Sequence, residues 1–486
     1  MELITRAARF SARNAVFCRG RTFTYGDLLT HANFVSGKLL SQKSDMKGER
    51  VVLLTPQSYE YLACQWGIWQ AGGVVVPLCL QSPPLEWQYV VNDCKPAFVI
   101  CHGSFLSKLG SVAENAGVKI IPIGDFIAKE EKSINNTFNV TTESDGLILY
   151  TSGTTGKPKG AVQTHAKIEF QVKSLVDAWG WNENDNFLEV MPLHHVHSIN
   201  NLLSALWSGA SITFHQRFDP LNAWKEIKRN KSLTIFSALP TIYTRLLQEW
   251  NYMNNNDKAE ILNECKKFRL MVSGAYALSE KVWADWQKAT GHTLLERYGL
   301  TETGIVICNP LNGTRRPGWV GKPLPQVEAK IDGNELKIKS PGMFKEYFNN
   351  PTATQQAFDE EGWFKTGDIA EIDPQTGDYK ICGRLSMDMI KTAGYKVSAE
   401  DMEKELKEHP DVQEIAVLGV PNYEYGEIIG VVVKSKKNIT LHDIQSWCKM
   451  RMASYKIPRV IKQVDQLPVD ANGKVNKREL LTLFSH

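Results

Sequence analysis

The sequence contains the run Thr151-Ser152-Gly153-Thr154-Thr155-Gly156-Lys157-Pro158-Lys159-Gly160, made of hydroxyl side chains, glycines, two lysines and one proline. Glycine lets a backbone approach an anion closely with its N–H groups turned inward, hydroxyls donate further hydrogen bonds, and lysine supplies positive charge. The apolar run Gly146-Leu147-Ile148-Leu149-Tyr150 directly precedes it and predicts a buried strand. We therefore expect a polyphosphate-binding loop at a strand end. An ordinary polar surface loop is the alternative, but it would account only for a shorter cluster.

Further motifs follow this loop in order along the chain. It is not a Walker loop, because Lys157 precedes a proline instead of a serine or threonine. The later motifs are Ser273-Gly274-Ala275, Tyr298-Gly299-Leu300-Thr301-Glu302-Thr303, Gly362-Trp363-Phe364-Lys365-Thr366-Gly367-Asp368, Gly383-Arg384 and Asn472-Gly473-Lys474. The series resembles the adenylate-forming superfamily, which includes acyl-CoA synthetases, firefly luciferases and the adenylation domains of peptide synthetases. The resemblance covers essentially the whole chain.

Length and composition indicate a globular chain with more than one core. A chain of 486 residues is too long for one ordinary domain, and 43% hydrophobic residues can fill several cores. A net charge of +3 without a lysine or arginine block gives no indication of a nucleic-acid partner. The nine cysteines lack Cys-x-x-Cys spacing, so we expect reduced, buried thiols and neither a disulfide framework nor a zinc site.

The N-terminus and the hydropathy pattern bear on the compartment. No run approaches the ~20 apolar residues that a membrane-spanning helix needs. Arg6, Arg9 and Arg13 stand among few acids, as in a transit peptide, but the superfamily-like segment Phe23-Thr24-Tyr25-Gly26-Asp27-Leu28 begins almost at once. We therefore expect these arginines on one face of an opening helix in a cytoplasmic protein, with organelle import open. Monomer and homodimer both stay open.

Alternating apolar and helical patterns predict an α/β fold. Strand-like runs such as Val51-Val52-Leu53-Leu54 and Ala97-Phe98-Val99-Ile100-Cys101 alternate with helical patterns such as Tyr59–Gln70. We expect a large N-terminal domain of helix-covered, mainly parallel sheets with subdomains over residues 1–384. A new alternation begins after Gly383-Arg384 and predicts a small α+β domain over residues 387–486. The resemblance implies that this domain is mobile, with its hinge near Ser386.

The resemblance implies a reaction in two halves. A carboxylate attacks the α-phosphorus of ATP, which gives an acyl-adenylate and pyrophosphate, and a thiol then displaces AMP. Lys474 corresponds to the lysine that bridges the carboxylate and the α-phosphate in the first half-reaction, Glu302 to the Mg²⁺ ligand and Thr301 to a phosphate contact. Asp368 and Arg384 correspond to the ribose contacts. The implied ATP and AMP contacts are Thr151, Ser152, Gly153, Thr154, Thr155, Lys159, Gly274, Ala275, Tyr298, Thr301, Asp368 and Arg384.

The segment Lys391-Thr392-Ala393-Gly394-Tyr395-Lys396 resembles the part of the family's small domain that faces the active site in the second half-reaction. It implies a catalytic role for Lys391 and CoA contacts for Gly394, Tyr395 and Lys396. Any Cβ at Gly394 would narrow the path of a pantetheine arm. Nothing in the chain resembles a carrier domain, so free CoA is the expected acceptor.

The pair Glu296-Arg297 stands directly before Tyr298, where many members of the resembled family carry uncharged residues. In an extended segment neighbouring side chains point to opposite faces, so Glu296 cannot easily pair with Arg297. A buried arginine needs an anionic partner, and guanidinium binds carboxylate bidentately. A second carboxylate on the substrate is therefore predicted.

Several segments resemble the malonyl-CoA synthetase branch, in which arginines corresponding to Arg297 and Arg245 hold the distal carboxylate. The alternative for Arg245 is a solvated helix position. His195 corresponds to the family's pocket histidine and His197 to an addition of the branch. The segments are Arg269-Leu270-Met271-Val272-Ser273-Gly274, Gly291-His292-Thr293-Leu294-Leu295-Glu296-Arg297-Tyr298-Gly299, Pro192-Leu193-His194-His195-Val196-His197 and Pro240-Thr241-Ile242-Tyr243-Thr244-Arg245.

Two departures from the branch leave the acid open. Ser198 stands where the branch usually has glycine, and Ala275-Tyr276 replaces Ser-Ala. We expect an ATP-dependent acid–CoA ligase that activates malonate, with a substituted malonate or another short acid as a variant. The runner-up is a short- or medium-chain monocarboxylate CoA ligase. A catalytically silent nucleotide-binding relative and a luciferase-type oxygenase are the remaining alternatives.

Overall fold

The structure is a computed structural model that describes residues 2–41, 43–126, 140–151, 158–385, 387–449, 451–468 and 475–485. Six residues singled out by the sequence lie outside these ranges: Ser152, Gly153, Thr154, Thr155, Ser386 and Lys474. Their predicted roles stay predictions.

The helices are distributed along the whole described chain. They are α1 (Glu2–Ala7), α2 (Tyr25–Leu40), α3 (Tyr59–Gln70), α4 (Pro84–Cys94), α5 (Leu106–Ala116), α6 (His165–Trp179), α7 (Val196–Trp207), α8 (Pro220–Arg229), α9 (Pro240–Tyr252), α10 (Asn255–Cys265), α11 (Glu280–Thr290), α12 (Pro351–Ala357), α13 (Ala399–Lys407), α14 (Leu441–Lys449) and α15 (Lys477–Leu481).

The strands form three sheets. They are β1 (Asn14–Cys18), β2 (Arg21–Thr24), β3 (Arg50–Leu54), β4 (Val74–Pro77), β5 (Phe98–Cys101), β6 (Lys119–Pro122), β7 (Asp145–Thr151), β8 (Lys159–Thr164), β9 (Asn186–Glu189), β10 (Ser211–Phe214), β11 (Ile235–Ala238), β12 (Leu270–Ser273), β13 (Leu295–Leu300), β14 (Gly304–Cys308), β15 (Trp319–Pro323), β16 (Glu328–Asp332), β17 (Glu335–Lys339), β18 (Glu346–Tyr347), β19 (Phe364–Ile372), β20 (Tyr379–Arg384), β21 (Met389–Thr392), β22 (Tyr395–Ser398), β23 (Glu414–Asn422), β24 (Gly426–Lys434) and β25 (Val460–Gln463).

The two sheets of the large domain have parallel centres. The order β18-β8-β7-β4-β3-β5-β6 is parallel from β7 to β6, and the larger sheet is parallel from β13 through β12, β11, β9 and β10 to β1. Antiparallel strands extend both, including the run β14-β15-β20-β19-β17-β16. The predicted α/β class is confirmed, and the sheets are mixed, because hairpins extend their parallel centres.

The small domain has its own sheet. Its strands run in the order β22-β21-β24-β23, with β25 parallel to β24. The last strand of the large sheet ends at Arg384 and the first strand of the small sheet begins at Met389. Helices α13 and α14 pack on this sheet through a core that includes Met402, Leu406 and Ile444.

Local sequence explains the main elements that border the site. Helix α2 begins with a capping box in which Thr24 and Asp27 satisfy each other's backbone N–H groups. Helix α3 lies inside the large domain, with Trp66 and Trp69 fully buried. All nine cysteines are free and seven of them are buried. In the part of the chain that the structure describes, none of the helices combines the length and the apolar composition that crossing a membrane requires.

The N-terminal arginines do not form one helix face, which corrects the prediction. Helix α1 ends at Ala7, Arg9 lies in a short 3₁₀ turn, and Arg13 follows that turn. The Nε atoms of Arg6 and Arg13 donate to the carbonyls of Trp207 and Gly209, at 2.8 and 3.4 Å. The arginines cap the carboxyl end of α7, so the packing of this helix sets their positions.

Candidate active site

A cavity of about 160 Å³ lies where the carboxyl ends of β4, β7 and β13 meet the small domain. Parallel strands bring their carboxyl ends to one edge, where ligands of open α/β sheets bind. The predicted residues that line it are Thr151, His195, His197, Ala275, Arg297, Thr301, Lys391, Gly394, Tyr395 and Lys396. The structure therefore brings together residues that are separated by more than two hundred positions in sequence.

Arg297 enters this cavity from β13. Its side chain is buried, and Nε and Nη2 have no hydrogen-bond partner among the described residues. Burial lowers the pKa of this guanidinium to about 9, because the charged form loses its hydration. The guanidinium fits against Gly274, where an added Cβ would lie 2.5 Å from Nε of Arg297. A buried cation with unpaired donors lines the cavity.

Glu296 lies on the opposite face of the same strand, as the alternation predicts. Its Oε1 accepts from the backbone N–H of Gly318 at 2.8 Å. Burial raises the pKa of Glu296 to about 7, although backbone N–H groups of Gly318 and Leu278 partly offset the effect. The neighbouring carboxylate therefore does not neutralise Arg297.

The histidines give the cavity a polar wall. His195 contacts the ring of Tyr395 at 5.1 Å between centroids, and burial lowers its pKa to about 4, so its imidazole is neutral at pH 7. Nε2 of His197 lies 2.7 Å from Oγ of Ser237, which also accepts from the side-chain amide of Asn201. We assign the hydroxyl hydrogen of Ser237 to Nε2. Nδ1–H of His197, which has no partner among the described residues, is then a free donor.

Asp368 is fully buried and surrounded by donors. Its Oδ2 accepts from the hydroxyl of Tyr298 at 2.7 Å, and Oδ1 lies 3.1 Å from Nη1 of Arg384 and 2.9 Å from Nζ of Lys391. Burial alone would raise its pKa, but Lys391 and Arg384 outweigh burial and the pKa is lowered. This cluster is therefore a buried charged network, which a surface ion pair is not.

Glu302 forms a second buried acidic group. Its Oε1 accepts from the hydroxyl of Tyr347 at 2.9 Å, and Oε2 lies 3.7 Å from Nζ of Lys396 without a hydrogen bond from any described residue. Burial would raise the pKa of Glu302, but Lys396, a backbone N–H and Tyr347 outweigh burial and lower it. The unsatisfied Oε2 is a fitting ligand for a hard cation, since Mg²⁺ binds through one or two carboxylates and keeps several waters.

The described ends of the glycine-rich run reach this region. Thr151 closes β7, and Lys159 opens β8 with its Nζ 5.3 Å from the ring centre of Tyr347. Both residues, with Glu302, line a second cavity beside the first. Ala275 has a φ of +81°, a conformation that costs a non-glycine residue about 1–3 kcal/mol and is frequent at functional sites.

The segment 391–396 of the small domain closes one side of the main cavity. Gly394, at a φ of +87°, leaves no room for a side chain, because an added Cβ would lie 2.9 Å from Leu239. Tyr395 stacks on Tyr455 with ring centres 3.8 Å apart. The segment thus faces the site, as the resemblance implies for the second half-reaction.

Arg245 lies away from this group of residues. Its side chain is 45% exposed, and its Nε and Nη2 point at Oε1 of Glu424 and the hydroxyl of Tyr425 in the small domain, both at 3.5 Å. The structure therefore does not bring it beside Arg297, because the face of α9 that carries it packs toward the small domain and solvent.

Sequence reasoning missed Tyr347 and Tyr455. Tyr347 supports Glu302, and Tyr455 supports Tyr395 through stacking. Neither stands in a glycine-rich or charged motif, so no local pattern marks them. Only the tertiary contact identifies their position beside the site.

Comparison with known proteins agrees with this geometry. Residues 3–348 match the AMP-binding enzyme family and residues 401–474 match the AMP-binding enzyme C-terminal domain. The chain belongs to the family of AMP-binding enzymes. Within this family it is 36% identical to a mitochondrial malonate–CoA ligase of Xenopus laevis over 99% of this chain and 92% of the relative.

Solved structures agree with the fold over nearly the whole chain. A malonyl-CoA ligase in a ternary product complex with methylmalonyl-CoA and AMP superposes with a TM-score of 0.83 at 30% identity, covering 94% of this chain and 97% of that one. ATP-bound MatB from Rhodopseudomonas palustris superposes with a TM-score of 0.73 at 29% identity, covering 99% and 98%.

Proposed function

We propose that this protein is an AMP-forming acid–CoA ligase whose substrate is malonate. The observation that carries the choice of acid is Arg297, a buried guanidinium that lines the cavity with Nε and Nη2 unsatisfied. Isolated burial of an ion costs on the order of several kcal/mol. A distal carboxylate supplies the missing anion and accepts both free N–H groups, so it offsets the cost that a monocarboxylate leaves in place.

The histidine wall supports the same ligand. The free Nδ1–H donor of His197 and the neutral His195 add hydrogen-bonding capacity without adding a competing negative charge. We propose that Arg297 and His197 bind the distal carboxylate and that His195 borders the reacting one. The relatives named malonate–CoA and malonyl-CoA ligases favour this assignment.

We propose that the nucleotide occupies the region between Thr151, Ala275 and Asp368. The run 151–160 holds the phosphates, with Thr301 as a further contact, and Tyr298, Asp368 and Arg384 hold the ribose. Mg²⁺ bound at Oε2 of Glu302 would offset phosphate charge when ATP is present. Protein groups mainly position the anions and neutralise their repulsion.

The chemistry then proceeds in two steps. A malonate oxygen bonds to the α-phosphorus as the bond to pyrophosphate breaks, with Lys474 bridging the two anions. The CoA sulfur next bonds to the acyl carbon as AMP leaves, with Lys391, Gly394, Tyr395 and Lys396 lining the approach. We propose a rotation about Ser386 between the steps, and the change of sheet between Arg384 and Met389 supports a boundary there.

The test is an acid panel with ATP, Mg²⁺ and CoA, read by pyrophosphate and thioester together. Malonate, methylmalonate, acetate, propionate and octanoate cover the alternatives. We expect malonate to exceed the monocarboxylates by about 10⁴-fold in kcat/KM, since sites with buried polar groups reject analogues that leave them unpaired. Faster turnover of octanoate would establish the monocarboxylate ligase instead, and no product with any acid would establish a silent relative.

We also propose a cytoplasmic location. Fractionation of cells with an antibody to the protein tests it, and an organelle arm is needed because the Xenopus relative is named as mitochondrial. Recovery in the organelle fraction would contradict the proposal.

A further inference from the structure

Tyr276 of the large domain makes direct contact with the small domain. Its hydroxyl accepts from the backbone N–H of Thr241 at 2.7 Å and also contacts the Thr241 hydroxyl. The same hydroxyl donates to the carbonyl of Glu424 at 3.1 Å. The residue therefore links the start of α9 to the turn between β23 and β24.

The ring of Tyr276 fits against a residue that has no side chain. An added Cβ on Gly426 would lie 2.5 Å from Cδ2 and 3.0 Å from Cε2 of Tyr276. Gly426 also has a φ of +78°, which disfavours any other residue. We call this contact between Tyr276 and Gly426 the docking pair.

The turn that carries Gly426 is joined to the segment that faces the cavity. The backbone N–H of Ala393 donates to the carbonyl of Tyr425 at 2.9 Å, and Thr392 pairs with Gly426 across the sheet. The side chain of Asn422 accepts from the N–H groups of Glu424 and Tyr425, which fixes the turn. The position of the turn therefore sets the position of Gly394 and its neighbours.

The docking pair belongs to one arrangement of the two domains. A rotation of the small domain that moves residues 391–396 away from the cavity also separates Gly426 from Tyr276, since both move with the same sheet. A contact made in only one arrangement shifts the population toward it. The chain superposes better on the product complex than on the ATP-bound structure at nearly equal identity, in agreement with this assignment.

We propose that Tyr276 is a positioning residue for thioester formation, which it favours by holding Gly426 and thereby the segment 391–396 against the cavity. The inference rests on the proposed two-step ligase. It assigns Tyr276 a role in the second step and none in the chemistry of the first.

The test measures the two half-reactions separately in the full chain. Malonate-dependent exchange of pyrophosphate into ATP, without CoA, reports the first, and single-turnover transfer from enzyme-bound adenylate to CoA reports the second. We expect Gly426→Ala and Tyr276→Ala each to slow the transfer by about tenfold, or roughly 1.4 kcal/mol, while exchange is kept or increased. Tyr276→Phe, which keeps the ring and loses the hydroxyl, should fall between Tyr276→Ala and the native protein.

The double variant separates contact from local strain. If the docking pair acts through its contact, Gly426→Ala slows transfer less in the Tyr276→Ala background than in the native one. Equal effects in both backgrounds, or parallel loss of both half-reactions, would overturn the proposal. Tyr423→Ala is the matched control, because this tyrosine is 62% exposed in the same turn and should change neither rate.

Two further readings keep the interpretation unambiguous. A raised KM for ATP in the exchange assay would show that Tyr276 acts on the adenine wall instead, which contradicts the proposal. Retained exchange demonstrates that each variant is folded. If the native protein exchanges with propionate but not with malonate, the proposed substrate fails while the docking pair is still tested with that acid.

Discussion

Gly274 and Arg297 share one volume: a Cβ on Gly274 would lie 2.5 Å from Nε and 2.6 Å from Cζ of Arg297. We expect Gly274→Ala to displace the guanidinium and to raise the KM for malonate by roughly 10- to 100-fold, since a misplacement of about 1 Å can cost that much. Steady-state kinetics with malonate and ATP varied separately check this. A change confined to the KM for ATP would instead assign Gly274 to the nucleotide alone.

Arg297 should also make the free protein less stable. Its unpaired, buried charge is a cost that the isosteric variant Arg297→Met removes, and we expect the melting temperature without ligand to rise by a few degrees, for about 1–4 kcal/mol. Added malonate should raise the melting temperature of the native protein and leave that of the variant unchanged. Thermal unfolding with and without malonate measures both. A lower melting temperature of the free variant would mean that Arg297 has a structural partner.

Arg245 offers a contrast with Arg297. Because its guanidinium points at Glu424 and Tyr425, we expect Arg245→Met to leave the KM for malonate within about twofold, the range expected when no ligand contact is lost. Transfer to CoA should slow modestly, since an exposed ion pair contributes about 0–1 kcal/mol. Kinetics of the two half-reactions distinguish the cases. A KM for malonate raised tenfold or more would restore Arg245 to the carboxylate site.

Glu296 should impose a pH dependence on stability. Its pKa in the folded protein is raised from 4.5 to about 7 by burial, so its stabilising contribution is complete below pH 4.5 and is lost as the pH rises toward 7. Glu296→Gln carries no titrating proton. We expect similar stabilities at pH 4.5 and a variant more stable by about 3 kcal/mol at pH 8, at 1.36 kcal/mol per pKa unit. Melting curves across this range check it, and a constant difference would contradict it.

Much of this architecture follows from local patterns. The strand before Thr151, helix α3 and the opposite orientations of Glu296 and Arg297 follow from apolar runs and from alternation along a strand. Motif order sufficed for the family, since each motif imposes its own local geometry. The antiparallel extensions of the sheets were less accessible, because they depend on pairing between distant hairpins.

The relations between domains could not be obtained in this way. The pairs Lys391–Asp368 and Lys396–Glu302 depend on how two separately folded units meet, which no spacing encodes. Arg245 illustrates the same point, because a pattern on α9 gives a helix face but not what packs against it. The docking of Tyr276 on Gly426 likewise became visible only in three dimensions.

The most direct test of malonate recognition is the ratio of kcat/KM for malonate to that for propionate, which replaces the distal carboxylate by a methyl group. It is measured in the native protein, in Arg297→Met and in the matched control Arg245→Met. We expect a ratio of about 10⁴ in the native protein and the control, and a fall of at least about 100-fold in Arg297→Met. A native ratio below one, or an unchanged ratio in Arg297→Met, would contradict the assignment of Arg297 to the distal carboxylate.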